Sequence, residues 1–261
     1  ILKHCNKLKA ISRHGVGYDN VDLDYIKKNN ISLLVTATAN AVAVAEHVIS
    51  MFLSISKSIS KYDEEVRKGN FKLNADKIQT FELFNKNIFI VGFGRIGRKL
   101  ISRCLAFDAK VYIYDPYVDE KIIKEFGGIK VDKIEIGLKN ADYVSLHMPL
   151  TNETKNLINY SVLKTMKKNS IIINTARGGI INELELEKAL NEGLIFGAAL
   201  DVFSKEPVEK DNPLLKNKKV ILSPHSATFT DECTSRMGIE TTKNIIDFFE
   251  NKIDKSMIVK L

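Results

Sequence analysis

A chain of 261 residues, 44% hydrophobic and 27% charged, has room for one large domain or two smaller ones and the composition of an ordinary globular protein. The net charge of +7 comes from lysines scattered among Asp and Glu, in short runs such as Lys167-Lys168, which argues against a nucleic-acid partner and for a solvated surface that draws in small anions. No apolar run approaches membrane-spanning length, no cleavable signal is visible, and Cys5, Cys104 and Cys233 fit no metal spacing, so free thiols in a reducing cytoplasm are expected.

The chain opens on Ile1, with an apolar pattern running by Leu8-Lys9-Ala10-Ile11. Next comes Arg13-His14-Gly15-Val16-Gly17-Tyr18-Asp19-Asn20, whose glycines imply a sharp turn at a strand end with N–H groups facing outward. Such a loop is either a simple turn or a holder of an anion by its amides. Asp24 to Asn29 reads as a short helix and Ile31 to Val35 as a strand.

From Ala41 the apolar period becomes helical: Ala41, Ala45, Val48, Phe52, Ile55, Ile59, Tyr62 and Val66 form one stripe ending near Gly69. It predicts a single long helix, either a coiled-coil seam or a core helix bridging two lobes. Glu46 and His47 near its start would face the junction, and a lone His there is more often structural than catalytic.

Ile88 to Val91 is short, apolar and β-branched, a buried strand. Gly92-Phe93-Gly94-Arg95-Ile96-Gly97 follows, then Leu100, Ile101 and Leu105 at helical spacing, then a strand Lys110 to Tyr114 ending on Asp115. The glycines permit a tight turn and let backbone N–H groups approach a pyrophosphate at the positive end of the helix. Asp115 can accept from an adenosine ribose, and its charge repels a 2′-phosphate, which favours NAD over NADP. A lone GxGxxG is weak; strand, helix, second strand and terminal acid together make the dinucleotide motif.

The βα rhythm continues through strands at Tyr143 to Leu146, Ile171 to Ile173, Gly197 to Leu200 and Val220 to Leu222, with helices at Val162 to Lys167 and Glu183 to Asn191. The last of these is opened by Asn182, with Glu185 completing a capping box. This alternation predicts an α/β fold with a doubly wound parallel sheet, whose chemistry sits beyond the carboxyl ends of its strands. His147, Thr175-Ala176-Arg177-Gly178, Asp201, Glu206 and Pro224-His225 cluster there. A final helix, about Thr230 to Asn251, returns toward the N-terminal lobe. The Arg177 fork matches a carboxylate and can polarise an adjacent carbonyl. A carboxylate such as Glu206 beside His225 fixes the tautomer and stabilises the imidazolium, so the pair could protonate a ketone oxygen or deprotonate a hydroxyl.

Taken together, RHGVGYDNVDL, NAVAVAEH, GFGRIG with Asp115, SLHMPLTNETKNLIN, INTARGGIINELEL, LDVFSKEP and SPHSA resemble the D-isomer-specific 2-hydroxyacid dehydrogenases over nearly the whole chain. That resemblance implies a Rossmann NAD domain beside a smaller, flavodoxin-like substrate domain. Residues 1–40 would be part of the substrate domain, 41–226 the dinucleotide domain, and 227–261 the helix returning to the first. It implies catalytic roles for Arg177, Glu206 and His225, and a substrate-carboxylate loop at Val16 and Gly17. It also implies NAD contacts from Thr36, Gly92, Gly94, Arg95, Ile96, Gly97, Asp115, His147, Met148, Pro149, Thr175, Ala176 and Asp201, the last meeting the carboxamide. A homodimer built with the helix from Ala41 is implied too.

Three departures stand out. Ala37 follows Thr36 where the family often has Pro, and Ser226-Ala227-Thr228 lacks the Gly common after the catalytic His. Family members also begin with several further βα elements, so the substrate lobe is expected to be incomplete at its N-terminus. The activity implied is hydride transfer between NAD(H) and C2 of a small D-2-hydroxy or 2-oxo acid, with 3-phosphoglycerate the chief candidate. Glu206 argues against the formate dehydrogenase branch, where Gln stands in its place. The rival reading is an NAD-sensing binding protein similar to the C-terminal-binding corepressors.

Overall fold

The computed structural model describes residues 2–71 and 78–260. Two compact units make up the chain, one of residues 1–43 and 228–261, the other of 44–227. In the first, β1 (Ala10–Arg13), α1 (Leu23–Lys28) and β2 (Ser32–Val35) form a β-α-β unit whose strands pair in parallel. Ile26, Ile31 and Leu33 fill its core. The long helix begins at the end of this unit, as α2 (Ala41–Lys57).

That helix does not run on to Gly69. It stops at Ser58, which adopts a left-handed φ of 50°, and α3 (Ile59–Arg67) leaves at a bend of 55°. The carbonyl of Ser56, which a continuing helix would use, accepts instead from the Phe81 N–H at 2.8 Å. Burial agrees with the break. Ala45, Val48, Phe52 and Ile55 are buried, whereas Ile59 and Val66, which continue the same stripe, are 59% and 51% exposed. Apolar spacing ran past the point where a partner existed to cover it.

The second unit continues with β3 (Asn87–Val91), α4 (Arg95–Leu105), β4 (Lys110–Tyr114), α5 (Glu120–Glu125), β5 (Ile129–Lys130), α6 (Ile134–Asn140) and β6 (Tyr143–Leu146). After these come α7 (Tyr160–Leu163), β7 (Ile171–Asn174), α8 (Glu183–Asn191), β8 (Gly197–Leu200) and β9 (Val220–Leu222). Seven parallel strands in the order β5-β4-β3-β6-β7-β8-β9 form one sheet, the doubly wound arrangement expected. Alternation along each strand feeds two cores. Ile88 and Ile90 pack with α2 and α4 residues such as Phe52 and Leu100; Phe89 and Val91 pack with Leu138, Leu163 and Leu186 from α6, α7 and α8. Strands covered on both faces read as unbroken apolar runs for this reason. Chain order reverses between β3 and β6, which places a crevice at their carboxyl ends.

Two local expectations are revised. The helix expected over Val162 to Lys167 is the single turn of α7, which starts two residues earlier and ends at Leu163. In the capping box, the Asn182 side chain accepts from the Glu185 N–H at 3.2 Å, but Glu185 does not reach back. Its carboxylate takes the Tyr160 N–H at 2.5 Å, so one acid joins the N-termini of two helices. In the first unit the chain closes with α9 (Asp231–Phe249), capped by Thr230, whose Asn244 donates to the Val35 carbonyl at 3.1 Å.

Because Ser58 carries a Cβ in a left-handed turn, Ser58→Gly is expected to raise the unfolding free energy by up to about 1 kcal/mol. In an uninterrupted helix the same change would lower it by about 1 kcal/mol. Urea unfolding followed by circular dichroism reads the sign.

Candidate active site

The site grows from the turn after β3. Gly92 has φ 95°, and a Cβ there would lie 2.5 Å from the His147 carbonyl, so the turn after β3 and the turn after β6 touch backbone to backbone. A Cβ on Gly97 would lie 2.6 Å from the Gly92 carbonyl, which draws α4 tightly under the turn. Gly94 is the opposite case. The direction its Cβ would take is open for 4 Å, leaving the N-terminus of α4 accessible to a phosphate. Arg95 is exposed and Ile96 half-buried at that terminus.

Asp115, at the end of β4, reaches back to the turn. Its carboxylate accepts the Phe93 N–H at 2.7 Å and the Tyr117 N–H at 2.9 Å, and it remains partly exposed. Two backbone donors hold it aimed, with acceptor capacity left for a pair of hydroxyls.

Beyond β6 lie His147, Met148 and Pro149; beyond β7, Thr175 and Ala176. His147 Nε2 lies 2.8 Å from Ser145 Oγ, while Nδ1 is buried without a partner among the described residues, as is Thr175 Oγ1. Burial pushes the His147 imidazole down to about 4, so it stays neutral at ordinary pH. Two orphaned polar atoms just beyond β6 and β7, an open glycine turn after β3 and a held carboxylate after β4 are features a dinucleotide would satisfy.

Arg177, Glu206 and His225 follow three adjacent strands, β7, β8 and β9. Arg177 Nη1 donates to the Ala176 carbonyl at 2.7 Å, and Asn174 Nδ2 donates to the Arg177 carbonyl at 2.8 Å. Gly178 makes the next connection: a Cβ there would lie 1.8 Å from the Phe203 carbonyl, so only Gly lets the Arg177 loop press against the loop after β8. Within that loop Glu206 Oε1 accepts the Phe203 N–H at 3.0 Å, and its Oε2 lies 2.7 Å from His225 Nδ1. The His225 and Glu206 side chains are 53% and 37% exposed, open to a reactant.

His225 itself sits at φ 52°. Its N–H donates to the Asp201 carbonyl at 2.8 Å and, more weakly, to Ser223 O at 3.1 Å. The Asp201 carboxylate, 1% exposed, accepts from Ser223 Oγ at 2.5 Å, Ser226 N at 2.8 Å and Ala227 N at 3.0 Å. Asp201 therefore shapes the His225 loop. The sequence offered Ser223 only as part of SPHSA, and nothing local marked it as a hydrogen-bonding hub.

Val16, Gly17 and Thr36 belong to the smaller unit. Contrary to the expectation of outward amides throughout, the Gly15 N–H turns inward to Thr36 Oγ1 at 2.7 Å, and the Thr36 N–H returns to Gly15 O at 3.1 Å. Arg13 Nε donates to the Gly17 carbonyl at 3.2 Å and steadies the loop, whereas the N–H groups of Val16 and Gly17 donate to no described residue. Among the described residues no group of three His, Cys, Asp or Glu side chains could hold a metal, and no single helix is long and apolar enough to cross a membrane.

Residues 49–227 match the family model described as D-isomer specific 2-hydroxyacid dehydrogenase, NAD binding domain. The chain is 34% identical over 258 residues to a D-3-phosphoglycerate dehydrogenase of Methanocaldococcus jannaschii, covering 99% of this chain and 49% of that protein. It is 37% identical over 265 residues to a glyoxylate reductase of Thermococcus litoralis, covering 100% and 80%. Thus it spans about half the length of the first of these relatives and four fifths of the second. Among solved structures, a D-lactate dehydrogenase from Aquifex aeolicus complexed with NAD and lactic acid is similar at a TM-score of 0.88 and 32% identity, over 99% of this chain and 82% of that one.

The neutral His147 sets a pH prediction. Its folded value of about 4 lies below the ordinary 6.5, so between the two the unfolded chain binds a proton that the folded chain refuses. This contribution to stability is complete above pH 6.5 and is lost as pH falls toward 4, at no more than about 1.4 kcal/mol per pH unit. Chemical denaturation at a series of pH values should show the fall, and His147→Gln should flatten it.

Proposed function

The chain belongs to the D-isomer-specific 2-hydroxyacid dehydrogenases, an NAD-binding family, and on that premise we propose that it transfers hydride between NAD(H) and C2 of a small D-2-hydroxy or 2-oxo acid. When bound, NAD(H) supplies or accepts the hydride. The open Gly94 turn and the α4 N-terminus suit its pyrophosphate, Asp115 its adenosine ribose, and His147, Thr175 and Asp201 its nicotinamide end.

The observation that carries the reading is the 2.7 Å approach of Glu206 Oε2 to His225 Nδ1, one strand away from the Arg177 loop. With Nδ1–H donating to the carboxylate, Nε2 is the atom left to work. In reduction, the Nε2–H of the imidazolium gives its proton to the substrate's carbonyl oxygen as hydride reaches C2. In oxidation, the Nε2 lone pair takes the hydroxyl proton. Glu206 stabilises the imidazolium and keeps the ring oriented. The donor fork of Arg177 suits the substrate carboxylate and polarises the adjacent carbonyl. In the smaller unit, the unused N–H groups of Val16 and Gly17 suit a carboxylate by the same rule.

For the substrate, 3-phosphoglycerate is the chief candidate within this class. The charge of +7 fits an anionic reactant, and one of the similar proteins bears that activity in its name. NADH oxidation followed by absorbance with phosphohydroxypyruvate, glyoxylate, hydroxypyruvate and pyruvate tests both levels. Turnover of at least one is expected, with His225→Asn lowering kcat/KM by about 10² to 10⁴ and Asp115→Ser relaxing the preference for NAD over NADP. Oxidation of NADH by none of the four would sink the reading.

Assembly as a homodimer completes the proposal, supported by the exposed apolar side chains Ile59, Val66, Phe71 and Phe84. Sedimentation of the wild type and of Ile59→Lys with Val66→Lys should give dimer and monomer respectively; an unchanged dimer in the double variant would move the interface elsewhere.

A further inference from the structure

We propose that His47 is a positioning residue for the His225 loop, acting from α2 through the hydroxyl of Ser223 onto the carboxylate of Asp201. The inference rests on the dehydrogenase reading only for its kinetic consequence. His47 Nε2 lies 3.1 Å from Ser223 Oγ and 3.7 Å from Asp201 Oδ1. It plays no part in the proton transfer assigned to His225, and it approaches the loop from the side facing α2.

A proton count fixes the direction of the chain. An ionised carboxylate only accepts, so Ser223 Oγ–H, 2.5 Å from Asp201 Oδ1, donates to it. That hydroxyl has one proton and has now used it. Toward His47 it can only accept, so Nε2 of His47 must carry hydrogen. The order is therefore His47 Nε2–H to Ser223 Oγ–H to Asp201 Oδ1, whether His47 is neutral or charged. Each link strengthens the next, because a hydroxyl that accepts becomes a better donor.

What the relay holds is strained. His225 sits at φ 52°, a left-handed conformation that persists in a residue with a Cβ only when its surroundings over-determine it. Asp201 supplies that determination, taking the His225 N–H on its carbonyl and the Ser226 and Ala227 N–H groups on its carboxylate. The carboxylate is 1% exposed, and among the described residues His47 is the one whose ring nitrogen comes within 4 Å of it. The helix that carries the imidazole is itself anchored, since Ala45 and Val48 are fully buried in the sheet's core. A rigid helix thus steadies a loop that carries the proton-transferring side chain.

The test uses the full-length protein in four forms besides wild type: His47→Gln, His47→Leu, Ser223→Ala, and His47→Leu combined with Ser223→Ala. Two readouts are taken, steady-state kinetics with NADH and the best 2-oxo acid, and amide hydrogen exchange at Ser226 and Ala227. His47→Leu should lower kcat roughly tenfold, within the range that misplacing a reacting group produces, with the KM for NADH little changed. His47→Gln, which keeps an N–H near the Nε2 position, should restore kcat. The double variant should be no worse than Ser223→Ala alone, because the two residues act in series. Exchange at Ser226 and Ala227 should accelerate in His47→Leu and not in His47→Gln. Wild-type kcat and exchange in His47→Leu would overturn the proposal, as would a Gln variant as impaired as the Leu variant or effects that simply add. If the wild type turns over no 2-oxo acid, it is the dehydrogenase reading that fails, and the exchange rates alone then decide the relay.

Discussion

A buried carboxylate ties the working edge of the sheet together. Asp201 follows β8 with 1% of its surface exposed, and an ion so placed is stable only when donors surround it. Those donors come from the chain that follows β9: one hydroxyl and two peptide N–H groups, while a third peptide N–H meets the Asp201 carbonyl. The demand of one charge for hydrogen bonds thus dictates the path of the five residues Ser223 to Ala227, and with it the left-handed turn that presents His225. Removing the charge would leave those donors unpaired; removing the donors would leave the charge unpaired. Either way the loop loses its shape before any reacting group is touched.

The opposite half of the edge is built on space instead of charge. Around β3 the decisive fact is what glycine lacks. Gly92 and Gly97 let backbones close to distances that a Cβ would forbid, while Gly94 leaves its own side open. Close packing behind and vacancy in front turn a strand-to-helix connection into a cradle. Gly178 repeats the first device at β7, where the Arg177 loop presses against the loop of Glu206. Backbone proximity at both places fixes the course of the loops that carry the polar side chains.

Much of this was legible in the sequence, for physical reasons that also explain the rest. Strands β3, β6, β7 and β8 are buried on both faces and so spell mainly apolar runs, with Ser145 the one polar residue inside them. Acids and glycines with one stereochemical task, such as Asp115 and Gly94, are visible one at a time. Periodicity failed at Ser58 because it reports that a residue is apolar, not that its own chain covers it; Ile59 and Val66 keep the helical spacing but lie exposed on the single chain. The short α5 and the two-residue β5 carry too few residues to show a period. Glu185 was read as half of a capping box because its spacing from Asn182 is right, but the Tyr160 N–H competes for the same carboxylate from a distant part of the chain. His47 and Ser223 stand 176 positions apart, and only the fold brings them within reach of each other.

The exposure of the Glu206 and His225 pair separates what serves folding from what serves chemistry. At 37% and 53% side-chain exposure, an ion pair of this kind adds little to stability, since water and salt screen it. Glu206 nevertheless spends its second oxygen on the Phe203 N–H, which orients the carboxylate toward the imidazole even though no core packs around it. Backbone bonds on both sides, to Phe203 and from His225, hold in place a pair that adds little to the stability of the fold. Asp201 beneath it is the reverse, an ion almost wholly shut off from water whose carboxylate accepts from the donors of the His225 loop. The edge of the sheet therefore places one carboxylate inside to hold the loop and one outside to orient the His225 ring. Which task each performs follows from burial alone, because the two side chains are otherwise the same chemical group one methylene apart.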